Sequence, residues 1–150
     1  MIMDHPNSID ILLVEDNPDD AELAIRELRK NNMANNLFHV EDGADAIDFI
    51  FATGRFEGIR TIGYPPKVVL LDIQMPKVNG IEVLKRIKGD PLTNSIPVVI
   101  LTSSKEDPDI QKCYALGANS YIVKPVNFER FSTAIQTLGF YWLLLNQPPH

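Results

Sequence analysis

Five polar residues of this 150-residue chain each stand directly after an apolar run. Glu15 and Asp16 follow Ile11-Leu12-Leu13-Val14, Asp72 follows Val68-Val69-Leu70-Leu71, Thr102 follows Val99-Ile100-Leu101, and Lys124 follows Tyr121-Ile122-Val123. Apolar runs without polar alternation read as strands buried on both faces, the habit of a parallel sheet. Open α/β sheets keep their ligands at the carboxyl ends of such strands, so the five side chains are expected to converge at one edge. Three carboxylates held together repel, and the remedies are a bound divalent cation or a protonated member. A hard, oxygen-rich site with few protein ligands suits Mg²⁺, with Mn²⁺ as a substitute, because such an ion keeps waters and accepts phosphoryl oxygens. Zinc would want His or Cys. His5, His39 and His150 share no metal spacing, His39 reads as a structural polar residue rather than a phosphodonor, and Cys113 stands alone as a small helix residue.

With Mg²⁺ in place the remaining residues acquire roles. An aspartate can act as a nucleophile toward phosphorus when cations and donors meet the charge on the transferring oxygens. Asp72 is the candidate acceptor because it ends the central apolar run. Lys124 supplies a compact ammonium, and the Thr102 hydroxyl can donate to a phosphoryl oxygen. Carboxylates are ordinarily ionised at neutral pH, so the transfer needs no general base. The plainer alternative is that Lys124 only pairs with Asp72 and the acids cap a solvated loop.

The elements that must position these residues alternate along the chain. Strands are expected at 9–14, 37–40, 68–71, 97–101 and 120–123. Helices are expected from Pro18 to about Asn31, over 44–52, 80–88 and 109–116, and from Asn127. Asn17-Pro18 is a cap followed by proline at the first helical position, with Asp19 and Asp20 at the positive helix end. Five strand-helix units with right-handed crossovers imply an α/β doubly wound, five-stranded parallel sheet with helices on both faces. Residues 53–66 read as a Gly- and Pro-containing connection. Residues 1–8 read as a polar leader, 9–145 as the one domain, and 146–150 as a tail without an output domain.

At 45% apolar residues the chain can build one ordinary core, and its formal charge of −6 argues against a nucleic-acid surface. No signal peptide and no apolar stretch of about 18 residues is present, so a cytoplasmic protein without a membrane role is expected.

Four fragments in this order, "ILLVEDNPDD", "VLLDIQMPKVNG", "PVVILTSS" and "SYIVKP", closely resemble the receiver domain of two-component response regulators. That resemblance implies a (βα)5 flavodoxin-like fold and phosphoryl transfer from a sensor histidine kinase onto Asp72. It implies Glu15 and Asp16 as the metal-binding acids, with the Gln74 backbone carbonyl completing the metal shell beside Asp72. Thr102 matches the switch hydroxyl, Lys124 the phosphate-contacting lysine, and Tyr121 the aromatic that moves on activation. The domain would then promote its own phosphorylation and dephosphorylation without being a multiple-turnover enzyme. The family also raises the expectation of a cis bond before Pro125, and Met75 and Pro76 are expected to shape the loop.

The tail "LGFYWLLLNQPP" resembles small single-domain regulators paired with phytochrome-type kinases. Phe128, Phe131, Ile135 and Leu138 fall at spacings of three and four, enough for one buried helix face. The oily run after them is expected to expose some of Phe140, Tyr141, Trp142 and Leu144. This points to a homodimer through the fourth helix, fifth strand and fifth helix.

Three rivals remain. An aspartyl-phosphate phosphatase would want a second Asp where Gln74 stands, and a flavodoxin-like carrier a Ser/Thr/Gly-rich first loop where this chain has acids. A phosphorylation-independent binding module would use the same fold.

Overall fold

The computed structural model describes residues 6–31, 36–75 and 78–138. Five parallel strands, β1 (Ile11–Val14), β2 (Leu37–Val40), β3 (Val68–Asp72), β4 (Val98–Thr102) and β5 (Ser120–Val123), form one sheet in the order β2-β1-β3-β4-β5. Between and after them run α1 (Pro18–Lys30), α2 (Gly43–Phe51), α3 (Gly80–Lys88), α4 (Asp109–Ala115) and α5 (Phe128–Gln136).

Alternation along the strands divides the core in two, because successive side chains point to opposite faces. Ile11, Leu13, Val68, Leu70, Val99 and Leu101 pack with Ala24 and Leu28 of α1 and Phe131 and Ile135 of α5. Leu12, Val14, Val69, Leu71, Val98 and Ile100 pack with Phe49 of α2, Val83 and Leu84 of α3 and Cys113 of α4. The inner strands carry apolar residues at both parities, which is why their sequences show no polar alternation.

Helix starts follow their expected chemistry. The Asn17 side chain accepts from the amides of Asp19 and Asp20 at 2.9 and 3.0 Å, with Pro18 in the first turn. Asp42, Asn79 and Asn127 cap α2, α3 and α5 in the same manner. The C-terminal helix buries Phe131 and Ile135 fully, with Phe128 and Leu138 packed partly against them. The oily run from Phe140 to Leu145, with the exposure expected of it, lies outside the described residues, as do His5, Pro76 and His150.

The 53–66 connection is more than a linker. It contains a 3₁₀ turn (Gly54–Phe56) that buries Phe56 edge-on against Phe49, with centroids 5.2 Å apart, and against Phe38 at 5.9 Å. Buried Arg60 ties the segment down. Its guanidinium donates to the carbonyls of Phe49, of Tyr64 at 2.8 Å and of Pro6 at 3.1 Å, and lies 3.9 Å above the Phe49 ring. Burial lowers its pKa to about 10.

Candidate functional site

The sheet order reverses direction between β1 and β3: the chain crosses from β1 to β2 on one side and then to β3 on the other. A crevice opens at such a switch point, at the carboxyl ends of the strands. Here it is a cavity of about 240 Å³ lined by Asp16, Asn17, Asp20, Asp72, Gln74, Thr102, Ser103 and Lys124.

Strand ends set the side chains. Asp72 is the last residue of β3, paired in register with Leu101, so its backbone is held in the ladder while its carboxylate reaches the crevice. Both of its oxygens are oriented: Oδ1 accepts from the Gln74 amide at 3.0 Å and Oδ2 from Lys124 Nζ at 3.0 Å. Lys124 follows β5, anchored by its own amide donating to the Thr102 carbonyl at 2.7 Å, and precedes the cis Lys124-Pro125 bond. Its ammonium also reaches Glu15 Oε1 at 3.0 Å and Asp20 Oδ2 at 3.2 Å.

One ammonium therefore serves three carboxyls, and a fourth, Asp16, stands in the cavity wall with Asp20 and Asp72. Ligand oxygens of Glu15, Asp16 and Asp72 all lie within 4.8 Å of one another. Glu15 and Asp72 are buried, at 1% and 3% exposure, whereas Asp16 faces solvent. The Glu15 carboxyl is pushed up to about 8, first by burial and then by sharing a hydrogen bond with Asp72, against the opposing pull of Lys124. Burial works against the Lys124 ammonium, yet its hydrogen bonds to Glu15 and Asp72 dominate and raise its pKa. Close acidic oxygens with an excess of negative charge, one side open to solvent, fit a hard divalent cation that retains waters.

All of Glu15, Asp16, Asp72, Thr102 and Lys124 are thus brought to one edge, and Gln74 sits beside them. Tyr121 is set apart on β5, half-buried, with its ring 6.3 Å from that of exposed Tyr114 in an edge-on arrangement. The buried Thr102 hydroxyl is engaged by the β4–α4 loop, 3.1 Å from Asp107 Oδ2 and 3.2 Å from the Ser104 carbonyl. Three contributors escaped the sequence reading. Asp20 appeared there only as a helix-end charge and Asp107 not at all. His39 was read as a structural polar residue, and its contact was not foreseen: Nε2 lies 2.7 Å from the Glu15 carbonyl, tying β2 to the acidic turn. Asp20 left no spacing signal, since Asp16 lies before the Asn17 cap and shares no helix with it.

Comparison with known proteins gives the family. The model of the response regulator receiver domain family matches residues 11–136. The chain belongs to that family. Among curated relatives it is 37% identical over 139 residues to the probable methanogenesis regulatory protein FilR2 of Methanothrix harundinacea, covering 93% of this chain and 86% of that protein. It is 35% identical over 133 residues to response regulator Rcp1 of Synechocystis, covering 89% and 88%. Among solved structures, the bacteriophytochrome response regulator AtBRR superposes with a TM-score of 0.83 at 47% identity, covering 93% of this chain and 98% of that one. The Mn²⁺-bound form of Rcp1 gives a TM-score of 0.72 at 32% identity over 94% and 99%. This receiver domain therefore has the five-stranded parallel, flavodoxin-like fold expected of it, with bacteriophytochrome response regulators among its similar structures. No helix of the described residues is long and apolar enough to cross a membrane.

Proposed function

We propose that this receiver domain accepts a phosphoryl group on Asp72 from the phosphohistidine of a sensor kinase. The observation that carries the reading is the cluster of Glu15, Asp16 and Asp72 oxygens within 4.8 Å, closed on one side by Lys124. In the reaction an Asp72 oxygen forms a bond to phosphorus as the phosphorus–nitrogen bond of the donor breaks. The electron pair of that bond stays on the departing imidazole nitrogen, and a proton from solvent completes the neutral imidazole.

Lys124 Nζ, already 3.0 Å from Asp72 Oδ2, meets the charge on the transferring oxygens. Thr102, lining the same cavity, offers a hydroxyl to a phosphoryl oxygen. Glu15, Asp16, the Asp72 carboxylate and the Gln74 carbonyl would hold Mg²⁺, or Mn²⁺ in its place, which supplies charge neutralisation on the phosphoryl oxygens. Later attack of water on phosphorus breaks the acyl phosphate and returns Asp72 to its carboxylate, so the domain is a timer as well as an acceptor.

The output is a population shift: a dianion beside Thr102 favours one position of the β4–α4 loop, and Tyr121 fills the space that Thr102 leaves. We assign the partner as a phytochrome-type kinase, on the likeness to the bacteriophytochrome response regulators AtBRR and RtBRR, and a second copy of the chain meeting on α4, β5 and α5.

The test is intact-mass measurement after incubation with acetyl phosphate and Mg²⁺. One acid-stable, base-labile phosphoryl group is expected on the unchanged chain, none on Asp72→Asn, and little on Asp16→Ala. Equal labelling of Asp72→Asn would defeat the assignment.

A further inference from the structure

The Thr102 hydroxyl has one proton and two acceptors in reach, the Ser104 carbonyl at 3.2 Å and Asp107 Oδ2 at 3.1 Å. A hydrogen bond to an ionised acceptor is roughly twice as strong as one between neutral groups. The hydroxyl therefore donates its hydrogen bond to the carboxylate, and the Ser104 amide, 3.4 Å away, approaches the hydroxyl oxygen as a donor. Asp107 has further bonds. Its Oδ1 accepts from the Asp109 amide in the first turn of α4 at 2.9 Å, and its Oδ2 lies 3.4 Å from Gln74 Nε2 in the loop after β3. One side chain thus joins the end of β4, the start of α4 and the loop beside Asp72.

We propose that Asp107 is a positioning residue that holds the Thr102 hydroxyl in the resting state, so that a phosphoryl group on Asp72 must win Thr102 from it. The competition with phosphate rests on the assignment of Asp72 as acceptor; the hold on Thr102 does not. A dianion on Asp72 acts on this contact twice. It offers the hydroxyl a more highly charged acceptor, and it repels the Asp107 carboxylate. Because the same carboxylate binds the Asp109 amide, its release from Thr102 is felt directly by α4.

A purely structural Asp107 would only cap the first turn of α4. Asp107→Ser separates the two roles, since a serine oxygen can still serve the Asp109 amide but is too short to reach Thr102. The first measurement is the Thr102 χ1 distribution in the unphosphorylated protein, from three-bond couplings to its methyl carbon. One rotamer is expected in the unchanged chain and a mixture in Asp107→Ser. The second is a titration with beryllium fluoride and Mg²⁺, an acyl-phosphate mimic. The half-saturating concentration should fall about tenfold in Asp107→Ser, with no fall when the same change is made on Thr102→Ala.

An unmoved Thr102 rotamer, or an equal fall on the Thr102→Ala background, overturns the proposal. Failure of the unchanged chain to take up beryllium fluoride would instead count against Asp72 as acceptor, and the rotamer measurement would still decide the role of Asp107.

Discussion

Glu15 shows what convergence costs a single residue. Its carboxyl is nearly inaccessible and shares Lys124 with Asp20 and Asp72, and its pKa rises from 4.5 to about 8. A raised folded-state pKa means that the folded protein binds the extra proton between those two values. Stability from this group is complete below about pH 4.5 and is lost as pH rises toward 8. The slope is at most about 1.4 kcal/mol per pH unit for one proton. In EDTA, urea midpoints should therefore decline between pH 5 and pH 8, Glu15→Gln should flatten the decline, and Mg²⁺ should stabilise the unchanged chain most at the alkaline end. A midpoint that rises through this window in EDTA would count against the shared-proton description. Residue types alone predicted crowding among the acids. They did not predict which acid is most deeply buried, because that depends on α1 and β2 closing over the first loop.

At the scale of elements, α3 must start almost in contact with the end of β3 if the loop between them is to wrap around the site. Gly80 makes this possible: a Cβ there would collide with the Asp72 carbonyl oxygen and the Ile73 Cα, both rigid backbone. Gly80→Ala should cost about 2–3 kcal/mol in urea denaturation and weaken divalent-metal binding, because relief requires moving Asp72 or α3. Metal affinity equal to that of the unchanged chain would show that the close approach serves packing alone. Where local chemistry dominates, the sequence was readable: the caps at Asn17, Asp42, Asn79 and Asn127 lie at the foreseen starts within a residue or two. The 53–66 connection was not readable. Its order comes from Phe56 entering an aromatic cluster and Arg60 gathering three carbonyls, and neither contact leaves a periodic trace.

For the whole molecule, the face built by α4, β5 and α5 joins half-buried Tyr121 to solvent through exposed Tyr114, beside a groove of about 470 Å³ over β5 and α5. Light scattering over a concentration series should show self-association strengthened by acetyl phosphate, and Tyr114→Glu should weaken it about tenfold, as expected for a truncated aromatic anchor. A monomer at all concentrations with and without phosphodonor would remove the second copy as the partner. The sequence by itself determined the α/β class, the sheet's double covering and the identity of the convergent polar residues. Each of these follows from local rules: unbroken apolar strands, helix caps, and polar residues placed where strands end. Only the tertiary structure decided that Lys124 is shared among Glu15, Asp20 and Asp72, that His39 meets the acidic turn, and that the Thr102 hydroxyl lies against Asp107. These contacts join residues on different elements, and their geometry is fixed by how loops close over the sheet's edge rather than by spacing along the chain.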